Sequence, residues 1–229
     1  MNKILTLVAL LLINFSLSAQ TPPPMPLFPV LQNTIEQLQT EYPLIPDGRR
    51  EELDAMASYI KAQAQNERTV SIVFICTHNS RRSHMAQLWA AAAAAYYGKP
   101  AGLNSYSGGT EVTAFNSRAV RAMREAGFSI PEVEGENPVY LVHLGETLPP
   151  LRCFSKPYFH ESNPKKDFAA VMTCSDADEA CPIVFGADER FSLPYDDPKH
   201  ADGTAAESER YRERCRQIGR EICYVFSQL

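Results

Sequence analysis

Val70-Ser71-Ile72-Val73-Phe74-Ile75 runs without a break into Cys76-Thr77-His78-Asn79-Ser80-Arg81-Arg82-Ser83, and then into an alanine-rich stretch from His84 to Tyr97. The first segment is β-branched and aromatic apart from one serine, which predicts a short buried strand. The stretch from His84 to Tyr97 predicts a strong helix, stopped by Gly98 and Pro100. A loop that leads from a strand into a helix N-terminus turns several backbone N–H groups toward one point, where the helix dipole favours negative charge. The same field lowers the pKa of a thiol held in it, and the thiolate is the nucleophile. Arg82 follows Cys76 by six residues and falls at the first turn of the helix. Its planar guanidinium is suited to hold two oxygens of a tetrahedral oxyanion, and the hydroxyl of Ser83 is placed to hydrogen-bond the thiolate. A cysteine and an arginine at this spacing occur in many chains by chance. The strand before, the helix after and the serine beside Arg82 give the pattern its meaning. A buried structural thiol and a surface arginine are the competing readings.

Working outward, a short strand is expected at Asn104–Ser107, closed by Gly108-Gly109, and a helix at Ser117–Ala126, stopped by Gly127. A hairpin follows, with arms at Val139–Val142 and Arg152–Ser155 and a turn between Gly145 and Pro150. Two more core strands are expected, Phe168–Thr173 and Arg190–Leu193, the second leading to Tyr195-Asp196-Asp197-Pro198. An amphipathic helix from Ala205 to Phe226 ends the pattern. Strands alternating with helices argue for a parallel sheet covered on both faces. Upstream, Leu31, Ile35 and Leu38 mark a helix over Pro29–Tyr42, and Leu53, Met56, Ile60 and Ala64 mark a second after Asp47. This pair is expected to pack on the main domain and carries no evident chemistry.

The chain has 229 residues, 45% of them hydrophobic and 21% charged, which suits a globular domain with a full core and a small appendage. A net charge of -5 gives no reason to expect nucleic acid, so an anion site must be built locally. Lys3 is followed by a twelve-residue apolar run, Ile4–Phe15, and by the small residues Ser16, Ser18 and Ala19. That is the pattern of an export signal, and the run is too short for a membrane span, which needs about 20 residues. The expected organisation is a signal over 1–19, a linker (Thr21-Pro22-Pro23-Pro24) and helical extension over 20–68, and a catalytic domain over 69–229. The expected location is the periplasm, or the cytoplasm if translation starts at Met25. The six cysteines are not spaced as a small disulfide scaffold, and Cys215 and Cys223, eight apart in a helical stretch, are expected to pack. No C-x2-C or C-x4-C pair exists, so no zinc ribbon is expected, and no metal or organic cofactor is required.

Cys76 to Ser83 resembles the phosphate-binding loop of the low-molecular-weight tyrosine phosphatases. Tyr106-Ser107-Gly108-Gly109-Thr110-Glu111 resembles the turn after their second strand, and Tyr195-Asp196-Asp197-Pro198 their acid loop. The resemblance covers residues 70–226 apart from an insertion near 137–166. It implies a three-layer α/β fold around a four-stranded parallel sheet in the flavodoxin-like order 2-1-3-4, here with an extra N-terminal helix pair and an inserted hairpin. It implies an oxyanion held by Thr77, His78, Asn79, Ser80, Arg81, Arg82 and Ser83, with Asp197 as general acid.

Val171-Met172-Thr173-Cys174-Ser175-Asp176-Ala177-Asp178-Glu179-Ala180-Cys181-Pro182 resembles, more narrowly, the redox segment of thioredoxin-coupled arsenate reductases. The resemblance implies that Cys76 attacks arsenate, Cys174 attacks the adduct and releases arsenite, and Cys181 resolves the disulfide and presents it to thioredoxin. A disulfide needs Cα atoms about 4.4–6.8 Å apart. Seven residues of helix span about 10.5 Å and seven extended residues about 23 Å. Pairing Cys174 with Cys181 therefore requires residues 175–180 to loop out, for which the acidic run Asp176–Glu179 looks flexible enough. Burial of both cysteines as packing residues is the competing reading.

Some positions depart from the family pattern. His78 stands where a small residue is usual, and Arg81 where many relatives have cysteine. The insertion is aromatic (Tyr140, Phe154, Tyr158, Phe159), suited to rim a pocket but more simply read as packing on the core; Cys153 in it has no assigned role. Asp-Asp-Pro is by itself a plain turn, and the resemblance makes Asp197 rather than Asp196 the acid. A carboxyl beside a bound dianion is expected to hold its proton more tightly. Three readings stay open. Arsenate reduction, with a thioredoxin-like reductant, leads. Hydrolysis of a phosphate monoester such as phosphotyrosine, through a Cys76 phosphoenzyme, follows. A non-catalytic oxyanion or redox sensor comes third. Arsenate and phosphate are nearly isosteric, so the loop alone does not choose. The Cys174/Cys181 pair favours the first reading, while an oxidising compartment opposes it.

Overall fold

The computed structural model describes residues 27–66, 68–98, 102–181 and 183–229. The expected export signal, the proline-rich linker and Met25 lie outside the described residues. The chain opens with helix α1 (Pro29–Gln39), its first turn set by Pro29 and its face of Leu31, Ile35 and Leu38 fully buried. α1 ends short of the expected Tyr42, because Pro43 has no N–H with which to continue the helical ladder; Tyr42–Leu44, which contains Pro43, forms a separate 3-10 turn. Helix α2 (Asp47–Gln65) buries Leu53, Met56, Ala57 and Ile60. Ala64, expected on that face, is exposed where the helix runs past the core.

Strand β1 (Val70–Cys76) is buried along its whole length. Helix α3 (Arg82–Tyr96) begins two residues before the expected His84, because the carbonyl of Arg81 already accepts the N–H of Met85 at 3.0 Å. Strand β2 (Leu103–Gly109) and helix α4 (Ser117–Glu125) follow, the latter capped by the Asn116 side chain. β3 (Tyr140–Val142) and β4 (Leu151–Cys153) form the expected antiparallel hairpin with shorter arms. Then come β5 (Phe168–Met172), the short helix α5 (Ser175–Ala180), β6 (Ala187–Ser192) and the long helix α6 (Glu207–Ser227). β6 starts three residues before the expected Arg190, because pairing with β5 from Phe168 onward draws the polar Ala187–Glu189 segment into the sheet.

The main sheet has the order β2-β1-β5-β6 with every pair parallel, so its strands, numbered in chain order, run 2-1-3-4 as expected. Side chains alternate across it. Ile72 and Phe74 of β1 join the large cluster built with α1, α2, α3, α4 and α6; Val73 and Ile75 join a smaller one with Met172, Cys174, Ala177 and Val184. The sheet is thus covered by a thick helical layer on one face and by α5 with part of the insertion on the other. The insertion is pinned along the end of β2. Asn163 Nδ2 donates to the carbonyls of Ser107 and Tyr158, each at 3.0 Å. Gly108 must be glycine, since a Cβ there would lie 2.3 Å from the Tyr158 Cα. Among the described residues no helix is long and apolar enough to cross a membrane.

Candidate active site

The parallel sheet brings the C-terminal ends of β1 and β5 together, and the chemistry gathers there. The N–H groups of residues 77 to 81 donate to no acceptor among the described residues and so remain available to an anion. Asn79 holds the loop in shape. Its backbone is left-handed at φ 44, a conformation asparagine tolerates. Its Oδ1 accepts the N–H of Lys156 at 3.0 Å, and its Nδ2 donates to Ser83 Oγ at 2.9 Å. Ser83 Oγ lies 3.1 Å from Cys76 Sγ. Because the serine oxygen already accepts from Asn79, its hydroxyl proton is free to point at the sulfur. Gly109 closes the loop from behind, for a Cβ there would meet Asn79 N and Thr77 O at 2.7 Å. His84, below the loop, is within 2.9 Å of Ser107 Oγ, and complete burial pushes its pKa well below the usual 6.5, keeping it neutral.

Arg82 is buried and shared. Nη1 donates to the carbonyl of Tyr195 at 2.9 Å and Nη2 to Asp197 Oδ2 at 2.9 Å, while Nε has no hydrogen-bond partner among the described residues. Asp197 also caps the 3-10 turn that follows by accepting the N–H of Lys199 at 3.0 Å. Of the two aspartates, Asp196 is 92% exposed and pairs with Arg214, whereas Asp197 is 10% exposed and faces the loop. The side chain of Arg81, which the resemblance implied would help hold the oxyanion, is engaged by other partners. It is 15% exposed and is tied to the Tyr211 hydroxyl at 2.8 Å, to Asp202 at 3.6 Å and to Asp197 at 3.8 Å. His78 stands at the rim, 3.1 Å from Glu111. Ser80 is turned away from the centre, its hydroxyl donating to the Ala114 carbonyl.

Thr77 meets the second thiol. Its Oγ1 lies 3.5 Å from the sulfur of Cys174, which is fully buried and caps α5 by accepting the N–H of Ala177 at 3.4 Å. Cys76 and Cys174 share the small cluster, and Cys181, partly exposed, packs against it. The run expected to be flexible, Asp176–Glu179, is helical here. It is clasped: Arg190 donates to the Asp178 carboxylate at 2.5 Å and to the Cys181 carbonyl at 3.3 Å, and Ser192 Oγ donates to Asp178 at 2.7 Å. All six cysteines are free in this conformation. Cys153, Cys215 and Cys223 lie in the large cluster on the opposite face, and burial pushes the first two thiols up to about 12 and the third higher still.

The aromatic insertion divides its roles. Tyr140 packs edge-on against Phe115, Tyr158 packs against the small cluster, and Phe159 is exposed. A cavity of about 540 Å³ flanks the loop, lined by His78, Arg81, Phe115, Glu136, Tyr140 and Lys199. Lys156, the Asn79–Ser83 pairing and the Arg190 clasp were not anticipated; each is a contact between distant segments with no local signature. Among the described residues no group of three or more histidines, cysteines and acidic residues is placed to hold a metal.

Comparison with known proteins is consistent across several relatives. The chain is 32% identical to the arsenate reductase of Bacillus licheniformis over 153 residues, 66% of this chain and 91% of that protein. It is 32% identical to that of Halalkalibacterium halodurans over 152 residues, with the same coverage of both chains, and 30% identical to that of Bacillus subtilis over 153 residues. Similar solved structures include a low-molecular-weight protein tyrosine phosphatase from T. tengcongensis, at 18% identity and a TM-score of 0.49, covering 70% of this chain and 99% of that one. Another is a thioredoxin-dependent arsenate reductase of Corynebacterium glutamicum, at 17% identity and a TM-score of 0.35, covering 82% and 78%. No family model matches the chain.

Proposed function

The chain belongs to the arsenate reductases of the low-molecular-weight tyrosine phosphatase superfamily, cysteine-dependent enzymes, and from that membership we propose that it reduces arsenate through a relay of Cys76, Cys174 and Cys181. The observation that carries the proposal is the gathering of these three thiols on one face of the sheet, with the Cys174 sulfur touching Thr77 of the loop, while the other three thiols are buried on the opposite face.

The proposed cycle runs through three successive thiolate attacks. The Cys76 thiolate, steadied by Ser83, attacks the arsenic of an arsenate held by the loop amides and Arg82. An arsenic–oxygen bond breaks, and the departing hydroxide takes a proton from Asp197 and leaves as water. The incoming dianion gives Arg82 new oxygens to bind in place of the Asp197 carboxylate, which frees that carboxyl to carry the proton. The Cys174 thiolate then attacks Cys76 Sγ. The sulfur–arsenic bond breaks, its electron pair reduces arsenic from the +5 to the +3 state, and arsenite leaves. The Cys181 thiolate attacks Cys174 Sγ, restores the Cys76 thiolate and forms the Cys174–Cys181 disulfide. A thioredoxin-like dithiol takes over the oxidising equivalents by exchange at the partly exposed Cys181.

Hydrolysis of aryl phosphate monoesters is a second reading, favoured by Asp197 facing the loop beside Arg82. Two variants separate the readings. Cys76→Ser is expected to abolish both activities, and surviving turnover would sink the shared mechanism. Cys181→Ala is expected to leave aryl phosphate turnover intact and to stop arsenate reduction after the first turnover. Equal loss of both activities would make Cys181 a packing residue and leave the relay without support.

A further inference from the structure

The N-terminal helix pair reaches the acid loop. Arg49, in the first turn of α2, donates from Nε to Glu221 of α6 at 2.8 Å and from Nη2 to the carbonyl of Pro194 at 3.0 Å. Its guanidinium carbon stands 4.8 Å from the centre of the Tyr195 ring. Nη1 is held by Glu52 at 2.9 Å. The contact is withdrawn from water: the Arg49 side chain is 14% exposed and that of Glu221 1%. Burial, and then the Glu221 charge, push the Tyr195 phenol well above its usual 10, so a neutral ring faces the cation.

The next carbonyl along the chain, that of Tyr195, accepts Nη1 of Arg82. Two arginines therefore grip consecutive carbonyls, one from the extension and one from the catalytic loop, and Asp197 follows two residues later. The backbone of this connection is also tied by the N–H groups of Leu193 and Tyr195, which donate to Met172 and Thr173. We propose that Arg49 is a positioning residue for the acid loop: it fixes the Pro194–Tyr195 backbone so that the Tyr195 carbonyl orients the Arg82 fork and Asp197 meets the leaving group. Only arginine offers a donor for the carbonyl, a second for Glu221 and a flat face for the ring at once. The catalytic part of this proposal rests on the roles of Cys76 and Asp197 given above.

The test compares the full-length wild type with Arg49→Lys and with Arg49→Met paired with Glu221→Gln, the pair chosen so that no lone carboxylate is left buried. Hydrogen exchange followed by mass spectrometry is expected to quicken about tenfold in the segment spanning residues 193–198 of both variants, with the α3 and β1 segments unchanged. Unchanged exchange in that segment overturns the proposal whatever the activity. Turnover of two aryl phosphates is then compared. With a poor leaving group, which needs a proton, kcat is expected to fall about tenfold; with a good one it stays within about twofold, and KM moves little for either. Equal losses for the two esters also overturn the proposal, since they mark a structural role only. If the wild type hydrolyses neither ester, the aryl phosphate reading falls, Asp197 keeps only its role toward arsenate, and the exchange result alone decides whether Arg49 holds the loop.

Discussion

Arg82 divides its guanidinium between a carbonyl and a carboxylate, and both bonds use the planar fork. A lysine keeps the charge but cannot make two parallel bonds. Arg82→Lys is therefore expected to lower kcat/KM for arsenate by about 10²-fold, the scale of losing one preorganised donor at a developing charge. Steady-state arsenite formation measures it, and a loss below about threefold would show that the fork is dispensable. At this scale the sequence was legible where contacts are local. Cys76, Arg82 and Ser83 are fixed by their spacing along one loop. The resemblance implies an oxyanion-holding role for Asn79, and its side chain in addition braces Ser83 and the insertion. That bracing needs Lys156, distant in sequence, and no spacing rule reveals it. The ties of Arg81 to Tyr211 and Asp202 likewise come from distant segments.

Helix α5 separates the second and third thiols of the proposed relay, Cys174 and Cys181. As a helix it holds Cys174 and Cys181 about 10.5 Å apart along its axis, beyond disulfide reach. The exchange between them therefore requires α5 to unwind, and the Arg190–Asp178 pair opposes that. Both side chains are about a quarter exposed (27% and 25%), so the pair is worth roughly 1 kcal/mol at most. Arg190→Ala is expected to speed formation of the Cys174–Cys181 disulfide by about threefold to fivefold, read by quenched alkylation after a single arsenate turnover. A slower or unchanged rate would mean that α5 is not the barrier. Alternating polarity and the glycine stops placed most helices and strands within a few residues. The errors fall where pairing outvoted composition, as at the polar start of β6, or where an acidic run read as flexible found a cation in the next strand.

Across the whole molecule, the sheet sorts the thiols, and burial sets the pH range of stability. His84 resists a proton in the fold, so the unfolded chain gains one as pH falls below about 6.5 and stability drops on the acid side. Glu207, held down to about 2 by the Gly203 N–H and by Arg118 and Arg121, adds a second loss as pH falls from the usual 4.5 toward 2. On the alkaline side Cys153, Cys215 and Cys223 stay protonated in the fold above the usual 9, so the unfolded chain ionises first and stability declines from about pH 9 toward 12. Lys156, lowered by burial, works in the opposite direction there, against the three cysteines and raised tyrosines such as Tyr195 and Tyr211. Chemical denaturation midpoints measured from pH 4 to 11 are expected to form a plateau between about 6.5 and 9, and a maximum outside it would contradict this account. The reach of Arg49 to the acid loop could not be read from the chain, since its partners lie far along the sequence and only the packing of α2 on α6 brings them together.

The central claim is the relay, and disulfide mapping tests it most directly. Fully reduced protein is given one equivalent of arsenate without oxygen, quenched with an alkylating agent, digested and analysed by mass spectrometry. The account predicts a Cys174–Cys181 disulfide in step with arsenite released, with Cys76, Cys153, Cys215 and Cys223 recovered as free thiols. Six free cysteines and no arsenite would contradict it and leave phosphate monoester hydrolysis as the chemistry of the Cys76 loop.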